Sequence, residues 1–392
     1  MKIESVDFFY LAMPEITDEA DGSQDALLVR VRAGGYEGWG ECEAAPLPCI
    51  SAYCCPPSHG ACKPVKDAVL GARLDTPEDI RCINGEARRI GLDLLQTDHT
   101  LSGIDAALWD LLGRAKEVPV YQLLGDKRAY PKLPYASVLL PGTPQETLEK
   151  ARAIRAQGFR AAKFGWGPFG KGSVADDVAH LEAAREGLGE DGILLLDAGT
   201  IWEDNAEAGL ARAEALERVR VTWLEEPFHS SALDSYRILA EKHPRLALAG
   251  GEGAHNIYMA RDLVRRGKVQ YLQIDVGRIG GITTAYDCRL LAEAEGAIYV
   301  NHTFTSALAL SASLHPYVGV ERFTICEYPT ELKPLARDIS QDKIVPDSEG
   351  MIRVPEAPGL GITPDLEAMK AYHVPVRIEV GGKLIYKSPT LE

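Results

Sequence analysis

Asp197, Glu225, Glu252, Asp275, His302 and Glu327 recur through the second half of the chain at intervals of 28, 27, 23, 27 and 25 residues. Carboxylates bind hard cations and imidazoles move protons, so this recurrence is a chemical signal. Three like charges brought close repel unless a cation joins them. The all-oxygen set Asp197, Glu225 and Glu252 suits Mg²⁺, which accepts a few carboxylates and keeps positions for substrate oxygens. Asp275 and His302 form a second set. A carboxylate on one imidazole nitrogen fixes the tautomer and raises the basicity of the other, as a general base requires. Lys163, in AAKFGW, could neutralise a substrate carboxylate or relay a proton, or simply pair with Asp197. Glu327 could be protonated beside the metal set and donate to a developing enolate oxygen, although a plain salt bridge would also suit it. Glu226, next to Glu225, must point elsewhere and support the site indirectly. These parts suit removal of the weakly acidic proton α to a carboxylate.

Each of the six residues ends a short apolar run that reads as a buried strand: ILLLD, VTWLE, ALAGGE, YLQID, IYVNH and FTICE. Two earlier strands, PYASVLL and AAKFGW, bring the number to eight, with Lys163 at the end of the second. Helical runs such as QETLEKARAIRAQ, ADDVAHLEAAREGL and MARDLVRR lie between them. Strict alternation gives a parallel sheet, and eight repeats predict a (β/α) barrel with the charged residues across its carboxyl-terminal mouth. A barrel takes roughly 250 residues, and the chain has 392. The remainder reads as an α+β cap. Its strands are KIESVDFFYLAM, QDALLVRVRA and GYEGWGECEAAP, followed by helices that end with LSGIDAALWDLLGRAKEV. The expected division is a cap over 1–125, a barrel over 126–365, and a tail over 366–392 that returns to the cap. The tail VPVRIEVGGKLIYKSPTLE is expected to turn at its Gly-Gly as a hairpin.

Composition narrows the partners. A net charge of −15 argues against nucleic acid, because phosphate binding needs a basic surface. No apolar stretch approaches the roughly 20 residues of a membrane span, and MKIESVDFFYLAMP lacks the pattern of a signal peptide. A soluble, cytoplasmic protein is expected. Five of the eight cysteines fall between Cys42 and Cys62. Their spacing is poor for zinc, and reduced thiols are the expectation.

The ordered set SGIDAALWDLLG, LLLDAG, WLEEP, GGEG, IDVGRIGG, VNHTF and APGLGI resembles the enolase superfamily, in its mandelate racemase subgroup, over nearly the whole length. The resemblance implies that Asp197, Glu225 and Glu252 ligate Mg²⁺ and that Asp275–His302 is the catalytic dyad. It also implies that Glu327 stabilises the enolate and that the cap closes over the mouth. Loops near 14–24 and 43–60 would set specificity, with the cysteine-rich stretch around Ala52–Pro57 among the substrate contacts. The family further suggests a homodimer or octamer.

Two departures matter. Racemases of this subgroup carry K-x-K at the end of strand two, where this chain reads Lys163-Phe164-Gly165. Without the second lysine, one face of the enolate lacks its base unless Lys163 or Lys171 substitutes. A β-elimination can use His302 alone, which favours an acid-sugar dehydratase over a racemase, epimerase or lactone cycloisomerase. Gly199 stands where the family often has Asn. A scaffold without catalysis is disfavoured because all six groups are present. An aldolase-type barrel is disfavoured because no phosphate loop follows strand seven or eight.

Overall fold

The computed structural model describes residues 1–391. Three antiparallel strands open the chain: β1 (Ile3–Ala12), β2 (Asp25–Ala33) and β3 (Tyr36–Cys42). Their buried faces meet the Thr97–Lys116 helix, whose residues from Thr100 to Gly113 are buried all round. A helix apolar on every side must be enclosed on every side. The cap sheet covers one flank of this helix and the barrel covers another.

Eight parallel strands follow: β4 (Leu133–Leu139), β5 (Ala161–Gly165), β6 (Ile193–Asp197), β7 (Leu224–Glu225), β8 (Leu248–Gly250), β9 (Tyr271–Asp275), β10 (Ile298–His302) and β11 (Ile325–Pro329). They pair in the order β10-β9-β8-β7-β6-β5-β4-β11. The last seam, between β10 and β11, is no backbone ladder. The Asn301 side chain spans it: its Oδ1 accepts from Glu327 N (2.9 Å) and from Tyr317 OH (2.9 Å), and its Nδ2 donates to Ser313 Oγ (3.0 Å). Among the described residues no helix is long and apolar enough to cross a membrane.

Side chains two apart on a strand share a face, and the inward set changes character on climbing the barrel. Its base is an apolar cluster of Tyr135, Ala161, Leu195, Trp223, Ala249, Val300 and Ile325. Above it the inward positions become Lys163, Glu225, Glu327, Asp197, Asp275 and His302. Asp197, Glu225, Asp275 and His302 end their strands, as expected. Three positions differ. Lys163 and Glu327 sit mid-strand, two residues below the ends of β5 and β11, and Glu252 lies two residues beyond β8. Strand stagger in a barrel puts residues at different strand positions at one height, so all three still reach the same region.

The cap docks through two of the segments that carry the family resemblance. Asp105, in SGIDAALWDLLG, accepts from Thr283 N (3.0 Å), and Trp109 Nε1 donates to Thr283 Oγ1 (2.9 Å). Gly280 N donates to Ser102 Oγ (2.9 Å). The segment IDVGRIGGITT thus ties the end of β9 to the cap. The tail forms the hairpin β12 (Arg377–Val380) and β13 (Lys383–Lys387) around Gly381-Gly382. It returns to β1, where Tyr386 OH donates to Phe8 O (2.9 Å) and Val374 N to Tyr10 O (2.8 Å).

The cysteine-rich stretch is placed differently from expectation. Pro46–Cys54 is a helix with Cys49 and Cys54 buried against the cap core, and Cys42 is buried beside it. Its apolar positions face inward and hold it away from the mouth. Glu43 alone of residues 43–60 lines the cavity described next.

Candidate active site

A cavity of about 270 Å³ lies at the carboxyl ends of the strands. Lys163, Asp197, Glu252, His302 and Glu327 line it, with Gly165, Trp166, Arg278 and, from the cap, Ala20–Gly22 and Glu43. Glu225 lies behind Lys163, and Asp275 behind His302. A larger, more open groove of about 940 Å³ runs outside the barrel past Gln157–Arg160 and Lys343–Gly350, and none of these ionisable residues lines it.

Register brings the carboxylates together. Gly165 pairs with Asp197 and Asp197 with Glu225 across three adjacent strands. Asp197, Glu225 and Glu252 each offer an oxygen within 4.8 Å of the others. Gly199 N donates to Asp197 Oδ1 (2.8 Å) and Trp223 Nε1 to Glu225 Oε2 (3.0 Å), which orients both groups. Burial, with Glu252 nearby, pushes the Asp197 carboxyl up to about 6 despite Lys163. Burial likewise drives Glu225 well above the carboxylate range. Such a set is costly without a counter-cation. Lys163 Nζ supplies one, at 2.6 Å from Glu225, 2.9 Å from Glu327 and 3.5 Å from Asp197. A lone ammonium facing three carboxylates leaves excess negative charge, and the all-oxygen set fits a hard divalent ion.

Opposite stands the imidazole. His302 pairs in register with Asp275, and its Nδ1 donates to Asp275 Oδ2 (2.6 Å). Its Nε2 faces Glu252 Oε2 (3.0 Å) and Glu327 Oε2 (3.9 Å). Burial disfavours the imidazolium, but Glu252 and Glu327 outweigh it and hold His302 well above its ordinary value. Burial opposes ionisation of Asp275 too, yet the His302 hydrogen bond and Arg278 keep it low. Thr303 N donates to Glu327 Oε2 (2.8 Å), fixing the acid of β11. Glu226 turns away from the cavity, as expected. Its Oε1 accepts from Gly251 N (3.2 Å) and Gly253 N (3.3 Å), the two residues flanking Glu252.

Two further charged groups were not singled out from the sequence. Arg278 Nη2 donates to Glu43 Oε1 (2.7 Å), its Nη1 to Glu252 Oε1 (3.2 Å), and its Nε lies 3.8 Å from Asp275. Burial and repulsion from Asp275 push the Glu43 carboxyl up to about 8. Arg278 follows Asp275 by three residues in IDVGRIGG, a spacing that could have flagged it. Nothing in the cap sequence announces that Glu43 descends to meet it. Lys171 is exposed and does not line the cavity.

The likenesses to known proteins agree with this geometry. Residues 146–369 match the enolase C-terminal domain-like family, and residues 14–125 match the mandelate racemase / muconate lactonizing enzyme N-terminal domain. An arabinonate dehydratase of Saccharolobus solfataricus is 30% identical over 275 residues, covering 67% of this chain and 69% of the relative. A 3,6-anhydro-alpha-L-galactonate cycloisomerase of Streptomyces coelicolor is also 30% identical, covering 69% and 70%. The crystal structure of a predicted mandelate racemase from Rhodobacter sphaeroides superposes with a TM-score of 0.96 at 56% identity, covering 99% of this chain and all of that one. With its carboxylates and histidine arrayed at the barrel mouth beneath a docked cap, the chain belongs to the enolase superfamily, in the mandelate racemase and muconate lactonizing enzyme group.

Proposed function

We propose that the protein is a Mg²⁺-dependent hydro-lyase that abstracts the proton α to the carboxylate of a sugar acid and eliminates water to give a 2-keto-3-deoxy product. Asp197, Glu225 and Glu252 would hold the ion. When bound, Mg²⁺ would polarise the substrate carboxylate and neutralise charge developing on it.

The chain's own residues do the rest. With Glu252 committed to the ion rather than to the imidazole, neutral His302 would take the C2 proton at Nε2, with Asp275 fixing the ring through Nδ1. The electron pair left at C2 expels the C3 hydroxyl, and the same nitrogen returns a proton to that leaving group, which departs as water. The enol then tautomerises to the keto acid. Lys163 stands where it can donate to a developing enolate oxygen, and Glu327 could do the same when it carries a proton, in a cavity lined in part by the cap. Cytoplasmic activity on a small-molecule carboxylate, by a homo-oligomer, is part of the same reading.

The observation that carries elimination over racemisation lies across the cavity from His302. Gly165 occupies the register position beside Asp197 and carries no base, and Lys163 is held by carboxylates. One-base chemistry is what the residues support. The test is proton NMR in D₂O with Mg²⁺ and a panel of sugar acids. A deuterated 3-deoxy methylene signal is expected. Loss of the C2 proton without keto product would replace this reading with an isomerase.

A further inference from the structure

Gly165 and Gly199 are neighbours of a third unusual residue, Trp166. Its backbone is left-handed (φ 59°), a conformation that side-chain-bearing residues seldom adopt, and its side chain remains 44% exposed at the cavity wall. The indole lies over Gly199. A Cβ added there would come within 3.0 Å of two ring atoms and 3.2 Å of a third. Gly199 is itself left-handed (φ 56°). A side chain at Gly165 would strike Asp197, whose Cβ lies 2.9 Å from the position of an added Cβ. The two departures from the family pattern therefore belong to one feature. Glycine at 199 lets an aromatic ring form the wall, and glycine at 165 makes room for the Asp197 carboxylate beside it.

The charges of the cavity are already committed. Its cations are Lys163, His302 and Arg278, and each faces two or three carboxylates. The rim loop Ala20–Gly22 contributes Asp21, 3.5 Å from Lys333. Apart from those three cations and Ser137, the lining is apolar or acidic. A second carboxylate on the substrate would lose its hydration there and find no free cation, a costly exchange. The C–H face of a neutral polyol chain suits an exposed indole.

We propose that Trp166 is the specificity-determining wall of this cavity, stacking on the distal carbons of a monocarboxylate with a neutral, hydroxylated tail and so selecting it over the diacid of equal length. This names the substrate class of the site described under Proposed function, and rests on that reading for which end of the acid meets the carboxylates.

The test measures binding rather than turnover. Mg²⁺-loaded His302→Asn enzyme is titrated calorimetrically with six-carbon aldonates and with the aldarates made by oxidising each at C6. At least one aldonate should bind about tenfold more tightly than its aldarate. Trp166→Ala in the same background should weaken that aldonate by about tenfold, and Trp166→Phe should restore most of it. Gly199→Ala should weaken it too, by displacing the indole. Equal affinity for aldarate and aldonate, an unchanged affinity in folded Trp166→Ala, or no binding of any acid would overturn the proposal. Failure of His302 as base would show separately, as C2-proton exchange persisting in His302→Asn, and would leave these affinities readable.

Discussion

At the mouth of the barrel the Lys163 ammonium lies within 3.5 Å of three carboxylates, whereas at its base Lys132, equally buried, has the carbonyl oxygens of Val320 (2.9 Å) and Phe323 (2.6 Å). Burial disfavours both charges. At the mouth Glu225, Glu327 and Asp197 overcome it and hold Lys163 well above its usual value. At the base burial prevails and Lys132 falls to about 7. The same side chain at the same depth behaves oppositely because of what surrounds it. The mouth concentrates charges that offset one another where, on the proposed function, an ion and the reacting carboxylate would sit. The base carries one charge with no such purpose, and its cost falls on stability alone.

If the mouth is a catalytic array, the largest effect should come from its imidazole. His302→Asn should lower turnover by about 10³-fold or more while Mg²⁺ still binds, as titration calorimetry would show. Near-normal turnover would remove His302 as the base and make the mouth another structural ion cluster. Next comes the donor set. Glu252→Gln should weaken Mg²⁺ binding on the order of tenfold, because ligand charge sets affinity. An unchanged Mg²⁺ requirement would take Glu252 out of the set. Gly165→Ala should have a smaller effect in the same direction. Its Cβ would sit 2.9 Å from Asp197 Cβ, so the carboxylate must shift by a few tenths of an ångström. Unaltered Mg²⁺ affinity there would mean the array tolerates movement that the floor of the barrel would not.

How much of this contrast could be read in the sequence depends on how local its cause is. The period-two rise along each strand links an apolar base to a charged top, so ILLLD and YLQID announced both the barrel and its ionisable rim. Depth was less legible. Lys163 and Glu327 fall mid-strand because stagger, a property of the whole closed sheet, decides which residues share a level. The open β10–β11 seam was hidden for a related reason. Whether Asn301 bridges a gap depends on its neighbour across the sheet, not on its own segment. Arg278 was present in a recognised motif but without an evident partner, since Glu43 arrives from the cap through tertiary contacts alone. The sequence reads the stretch around Ala52–Pro57 as a substrate-contacting loop because proline and cysteine suggest irregular chain, whereas a helix over Pro46–Cys54 runs into it. Proline at the start of a helix is well accommodated, and the buried thiols act as small apolar groups.

The base offers the finest test of the comparison, through pH. An unfolded lysine titrates near 10.5, and Lys132 in the folded chain near 7. Between these values the unfolded chain binds the extra proton, so unfolding free energy rises with pH by up to about 1.4 kcal/mol per unit. Below about 7 both states are protonated, and the full cost of burying the ammonium is present. Above 10.5 it has gone. Lys132→Met removes this dependence, though it leaves two carbonyls without their donor, a penalty that does not vary with pH. The stability of Lys132→Met relative to the parent, from denaturant unfolding, should therefore be greatest near pH 7 and decline steadily toward pH 9.5. A difference that stays constant over that range would mean the two carbonyls keep the ammonium charged. Partners of full opposite charge would then not be what separates Lys163 from Lys132, and the mouth would owe its distinction to geometry alone.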